Sequence, residues 1–185
     1  MICGLDLGSR LTGWCVGDGR SVPTCGAFEF PQVGADLGAL GDLLWRNLDS
    51  LWRDYPFRRI MLEAPILIVN DRRRGTDNLL KLRKLYGISF TVETWARRHP
   101  SGPILVEETS LQSLKKELAG SVKADKAAMV AVAERLGLRL PEHLSHGRED
   151  AADAFAAWLV GLRFYAKPES ARWDQAIYSR RGFLI

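Results

Sequence analysis

The sequence predicts an α/β protein in which a mixed five-stranded sheet carries helices on both faces. Three short apolar segments separated by tight turns open the chain, and gaps that short join antiparallel neighbours. After them, long stretches of helical periodicity alternate with short apolar runs, an order that adds strands to the sheet and places helices against it. With 185 residues and 46% hydrophobic content, the chain has the size of one domain and enough apolar material for a packed core.

Residues 2–7, 12–16 and 24–30 read as the first three strands, joined through Gly8-Ser9-Arg10 and Gly17-Asp18-Gly19. Leu37, Leu40, Leu44, Leu48 and Leu51 recur at helical spacing, Trp45 and Trp52 stand seven apart as core aromatics, and Pro56 ends this helix. The run 58–63, "RRIMLE", is a fourth strand closed by Ala64-Pro65. An Arg-rich loop leads into a helix over 76–98 carrying Leu79, Leu82, Leu85 or Tyr86, and Trp95. Pro100-Ser101-Gly102-Pro103 breaks it, and 104–106 make the fifth strand. "SLQSLKKELAG" is a short helix, and "KADKAAMVAVAERLGL" is another that ends at Gly137. The last strong helix reads "DAADAFAAWLVGLRFY", from Asp150. Residues 1–166 are therefore expected to form the domain, and 167–185 a basic and aromatic tail. This order is compatible with a ribonuclease H-like fold.

No run of 18 apolar residues and no basic-then-apolar leader occurs, so neither a membrane span nor a secretion signal is expected. Cys3, Cys15 and Cys25 are odd in number and lack CxxC spacing. They read as small core fillers in a reducing cytoplasm, without a disulfide framework or zinc knuckle. His143 and His146 read as polar loop residues. The formal charge is +4, and it is unevenly placed. Between Asn70 and Pro100, eight basic residues, Arg72, Arg73 and Arg74 among them, face three acidic ones. Such a segment is either a contact for a polyanion or a solvated helix face.

The first strand, "MICGLDLGSR", holds a carboxylate among apolar residues, where an unpaired charge is costly. Alternation puts Gly4, Asp6 and Gly8 on one face, which leaves open space beside the acid. A strand that stops early, with Asp6 in a turn, reads equally well. Glu63 ends the apolar run "IMLE", and Asp150 and Asp153 share one face at the start of the last helix. Capping accounts for Asp150 and leaves Asp153 unexplained. If the first and fourth strands are neighbours beneath the last helix, all four acids converge. Two unit charges about 4 Å apart repel by roughly 4 kcal/mol at an effective dielectric near 20. Divalent cations relieve that repulsion, and an all-oxygen donor set suits Mg²⁺ or Mn²⁺. Two such ions activate a water and stabilise a leaving oxygen, and the bare face of Gly4 and Gly8 would admit metals and phosphate.

"GLDLGSRLTGW", "MLEAP", "KADKAAMV" and "REDAADAFAAW", in this order and at these intervals, resemble the RuvC-type Holliday-junction resolvases across residues 1–164. The resemblance implies an Mg²⁺-dependent homodimeric endonuclease acting on four-way or branched DNA by paired symmetric nicks, cytoplasmic and not membrane-bound, with two metals per active site. It assigns Asp6, Glu63, Asp150 and Asp153 as metal-binding acids and Lys126 as the lysine at the scissile phosphate. Lys115 or Lys116 matches a second DNA-contacting lysine. Lys123, in the same "KADKA" segment as Lys126, joins the Arg72–Arg73–Arg74 run among the DNA-contact candidates. Family members carry an aromatic residue soon after the second acid, whereas this chain has "APILIVN", so Ile66 or Leu67 would wedge where an aromatic stacks. The arginine run and the tail also depart from the bacterial enzymes and are consistent with a divergent, phage-encoded member.

Two other readings stand against this one. An actin-like ATPase or sugar kinase opens with a similar strand, Asp-x-Gly-Ser/Thr and hairpin, but needs a second lobe and a Gly-rich adenosine motif, for which 185 residues are expected to leave no space. A non-catalytic nucleic-acid binder would use the basic segment and would not require four acids at motif positions.

Overall fold

The computed structural model describes residues 1–31, 36–64, 75–142 and 147–181. Five strands, β1 (Ile2–Asp6), β2 (Leu11–Gly17), β3 (Thr24–Glu29), β4 (Arg59–Glu63) and β5 (Leu105–Thr109), form one sheet in the order β3-β2-β1-β4-β5. The first three are antiparallel neighbours, and β4 and β5 run parallel to β1. The sheet is mixed, as the alternation of short and long connections requires.

Helices α1 (Leu37–Asp54) and α2 (Gly75–Arg97) cover one face. The Asp36 side chain caps α1 by accepting from the Ala39 N–H at 3.0 Å, and Leu40, Leu44, Leu48 and Leu51 bury its inner stripe. They pack with Cys3, Leu5, Ile60 and Leu62 of the sheet. On the other face lie α3 (Leu111–Ala119), α4 (Lys126–Arg135), α5 (Gly147–Tyr165) and α6 (Lys167–Arg181). Ile2, Cys15 and Met61 belong to that second core. Cys3 and Cys15 are fully buried, and burial pushes both thiols up, which suits core filling.

Five features differ from the sequence reading. Strand β1 stops at Asp6, one residue early, so the acid stands at the strand's end. Strand β5 runs on through Glu107 and Glu108 to Thr109, because an edge strand half open to water tolerates charge. Helix α5 begins at Gly147, so Asp150 lies inside its first turn and is not the cap. Helix α2 buries Ile88, Val92, Trp95 and Ala96, while Leu79, Tyr86 and Phe90 are exposed. Trp95 is buried in the core, and its indole N–H donates to Asp49 at 2.7 Å. Trp45 and Trp52 are half-buried flanks of the α1–α2 core.

Lys167–Arg181, after α5, are helical. Trp173 and Ile177 of α6 are buried against α5, and the Trp173 indole N–H donates to the Gly19 carbonyl at 2.9 Å. Arg163 of α5 pairs with Glu117 of α3 and, at 3.0 Å from its Nε, with Asp174 of α6, which ties three helices together. Among the described residues, no helix is long and apolar enough to cross a membrane.

Candidate functional site

Side-chain alternation decides which residues meet at one end of the sheet. Ile2 and Met61 face α5, so Asp6 and Glu63, even numbers of residues further along β1 and β4, face it too. The parallel register sets Leu5 opposite Leu62, which leaves Asp6 and Glu63 side by side at the carboxyl ends of the two strands.

Two glycines bring α5 down onto that end. A Cβ on Gly4 would lie 2.1 Å from the Ala154 carbonyl oxygen, and one on Gly13 would lie 2.0 Å from that of Asp150. No side chain fits at either place, so the helix backbone rests directly on β1 and β2. The sequence reading gave the bare face of Gly4 and Gly8 to metals and phosphate, and the structure corrects both. At Gly4 the space is taken by α5. At Gly8 a Cβ would meet the Leu11 carbonyl oxygen at 2.3 Å, so this glycine serves the β1–β2 turn. Thr12 closes that turn, its hydroxyl accepting from the Gly8 N–H at 3.3 Å and donating to the Gly8 carbonyl at 3.2 Å.

With α5 seated there, Asp150 and Asp153 come to the same end as Asp6 and Glu63. Asp153 is 6% exposed and is the only charged residue among the described buried ones. Burial holds the Asp6 carboxyl well above the usual carboxylate range, and Asp153, Glu63 and Asp150 add to the effect. Glu63 is pushed up to about 7 by burial and by Asp153. Asp153 rises to about 6, from burial first and then from Asp150. Asp6 feels all three of the other acids, Glu63 feels Asp153, and Asp153 feels Asp150, so the four are linked electrostatically.

Among the described residues, Lys126, the first residue of α4, brings a positive charge to this group. The side chain of Asp125 caps that helix, accepting from the Ala128 N–H at 2.8 Å. The Lys126 ammonium stands 3.4 Å from Asp150 and 3.3 Å from Glu149. Burial acts against its charge, but Asp150, Asp153 and Glu149 outweigh it and raise its pKa. Lys115, half-buried on α3, also favours the ionised forms of Glu63 and Asp153. Of the two lysines left open by the sequence, Lys115 is thus the one that faces the acids, and Lys116 is exposed one residue further round the helix. Lys123 is exposed in the turn before α4. Sequence reasoning missed Glu149 and Gly13. The motif "RED" held a signal for the first, an extra acid beside Asp150. Nothing local signals the second, whose role depends on the helix that crosses it.

Arg72, Arg73 and Arg74, Ile66 and Leu67, and His143 and His146 lie outside the described residues. A separate groove between α3, α4 and α6 is lined mostly by apolar residues such as Leu118, Val132, Leu136 and Ile177, with Glu134 and Arg135 also at its wall, and contains none of the four clustered acids.

The donor set is all oxygen, as a hard divalent cation prefers. Among the described residues, no three His, Cys, Asp or Glu side chains are arranged to hold one ion as they stand. Uncompensated carboxylates repel one another, and the Lys126 ammonium already engages Asp150. Mg²⁺ commonly takes one or two protein carboxylates and completes its shell with water and substrate phosphate, so the acids fit that habit without forming a closed cage.

No family model matches the chain, and no curated protein matches it. Solved structures do. Thermus thermophilus RuvC in complex with a Holliday-junction substrate superposes with a TM-score of 0.59 at 14% identity, over 91% of this chain and 96% of that one. A second Thermus thermophilus RuvC structure gives 0.51 at 15% identity, over 86% and 96%. The yeast mitochondrial Holliday-junction resolvase Ydc2 gives 0.54 at 15% identity, over 98% of this chain and 82% of that one. The chain has the ribonuclease H-like α/β fold that these resolvases share.

Proposed function

We propose that this protein is a divalent-metal-dependent endodeoxyribonuclease that resolves four-way or branched DNA junctions by paired symmetric nicks, acting in the cytoplasm as a homodimer. The observation that carries the reading is the meeting of Asp6, Glu63, Asp150 and Asp153 with Lys126 at one end of a resolvase-fold sheet. A fold match alone would leave function open. Four clustered acids, two at strand ends and two on the first turns of α5, are harder to account for by stability, since they cost it.

In this reading the four acids hold two Mg²⁺ ions, for which Mn²⁺ substitutes, and bound metals of this kind supply an activated water and charge stabilisation at the leaving oxygen. The chain's own residues do the rest. Buried Asp153 offers a carboxylate whose orientation is fixed by packing, while Asp6 and Glu63 are set by the sheet register. Ligation would require the ionised forms of Glu63 and Asp153, which burial disfavours, so protons and a cation would compete for both acids. Lys126 directs positive charge at the phosphate, where negative charge grows in the transition state. Lys115 adds to that field from α3, and Lys116, Lys123 and the Arg72–Arg73–Arg74 run hold junction arms through their phosphates.

Two opposed strands must be cut to resolve a junction, and one chain carries one set of acids, so a two-fold pair of chains supplies both sites. The exposed Leu79, Tyr86 and Phe90 of α2 favour that helix as the seam. The test is incubation with a synthetic four-way junction, both strands of like polarity labelled, with Mg²⁺ present or withheld, together with sedimentation at micromolar protein. Paired nicks that require Mg²⁺, made by a dimer, are expected. A monomer making single unpaired nicks would replace the resolvase by a flap or branch nuclease, and no cleavage at all would overturn the nuclease reading.

A further inference from the structure

Glu149 belongs to none of the four acids above, yet it shares their lysine. Its Oε2 lies 3.3 Å from the Lys126 ammonium, against 3.4 Å for Asp150 Oδ1, so the cation bridges two consecutive residues of the first turn of α5. Consecutive helical residues point about 100° apart. Asp150 accordingly looks into the cluster, where it acts on both Asp6 and Asp153, whereas Glu149 is the smallest of the contributions on Asp153. The pair is too open to serve stability: the side chains are 52% and 35% exposed, and ion pairs of that exposure contribute little.

We infer that Glu149 is a positioning residue that tethers Lys126 at the rim of the acid cluster, so that the ammonium gives up Asp150 and keeps Glu149 when a divalent cation binds. The inference rests on the proposed metal site and adds a division of labour within it. Among the described residues, Lys126 lowers the cost of ionising Asp6, Glu63 and Asp153 together. A cation held by Asp150 would compete for that carboxylate and would repel the ammonium. Glu149 then provides the remaining anchor and keeps Lys126 at phosphate height, instead of releasing a four-carbon stem to solvent. Without Glu149, the ammonium has Asp150 as its one ion-pair partner among the described residues and would compete with the metal for it.

The experiment is calorimetric titration of the DNA-free full chain with Mn²⁺, for the wild type, Glu149→Gln, Lys126→Ala, the double variant, and Asp6→Asn as the control. Glu149→Gln should weaken Mn²⁺ binding roughly tenfold, the usual scale for a residue that orients the groups around a metal. In the Lys126→Ala background the same change should matter by less than about twofold, because the competitor is gone. Glu149→Asp should restore most of the affinity, and most of the single-turnover cleavage rate lost in Glu149→Gln. Equal losses in both backgrounds would make Glu149 a distant charge and overturn the tether, as would unchanged affinity in Glu149→Gln. If wild type and Asp6→Asn alike bound no Mn²⁺, the metal site itself would fall, and the inference with it.

Discussion

Gly13 and Asp150 are in backbone contact: a Cβ on the glycine would sit 2.0 Å from the Asp150 carbonyl oxygen and 2.9 Å from the Ala151 nitrogen. The contact fixes the height of the first turn of α5 above β2, and with it the position of a candidate ligand. Gly13→Ala should therefore push that turn away. Overpacking of this kind costs about 1–3 kcal/mol, visible as a lower urea midpoint. Junction cleavage should fall by more than the lost stability explains, when measured where the variant is still fully folded.

Much of the site was legible because strand alternation is a strong rule. Asp6 and Glu63 stood out as acids in apolar strands, and neither needed tertiary knowledge to be noticed. Asp153 stood out on an alanine-rich stripe for the same reason. The role of Gly4 was not legible, since a missing side chain makes room equally for a ligand or for a helix, and only the crossing of α5 decides. The buried face of α2 was hidden because Leu79, Tyr86 and Phe90 are as apolar as Ile88 and Val92. Lys115 and Lys116 are adjacent, and only the direction in which α3 turns separates them.

The acids' raised pKa values make metal-free stability depend on pH. Glu63 moves from 4.5 to about 7 and Asp153 from 3.8 to about 6, both chiefly through burial. The folded protein thus keeps protons that the unfolded chain releases. The stability they confer is intact below the unfolded values and is lost as pH rises through about 6 and about 7. In a chelator, urea midpoints should fall across that window. Asp153→Asn should flatten part of the fall, and Mg²⁺ should oppose it by binding the ionised acids. Midpoints that rise across the window would contradict the assignment.

Lys126→Ala should slow the chemical step more than it weakens junction binding, because a cation aimed at developing charge acts mainly in the transition state. Single-turnover rates at saturating protein, compared with equilibrium affinity, separate the two effects. A loss confined to affinity would reduce Lys126 to a backbone contact.

The arginine run makes a prediction about salt. Each phosphate neutralised contributes roughly 0.9 to the slope of log affinity against log salt, so replacing Arg72, Arg73 and Arg74 by Ala should lower that slope by up to about 3. Affinities for a four-way junction across a salt series give the value directly. A slope equal to that of the wild type would place the run away from DNA.

The central claim is that Asp6, Glu63, Asp150 and Asp153 form one nuclease centre, and it is tested most directly by cleavage and binding of a single labelled four-way junction by Asp6→Asn, Glu63→Gln and Asp153→Asn. Each substitution keeps the side chain's shape while removing a charge that a metal needs and that DNA phosphates oppose. The expected result is cleavage below detection in all three, with junction affinity equal to or tighter than that of the wild type. Mg²⁺-dependent nicking at the wild-type rate in any one of them would remove that acid from the centre, and in all three would contradict the account.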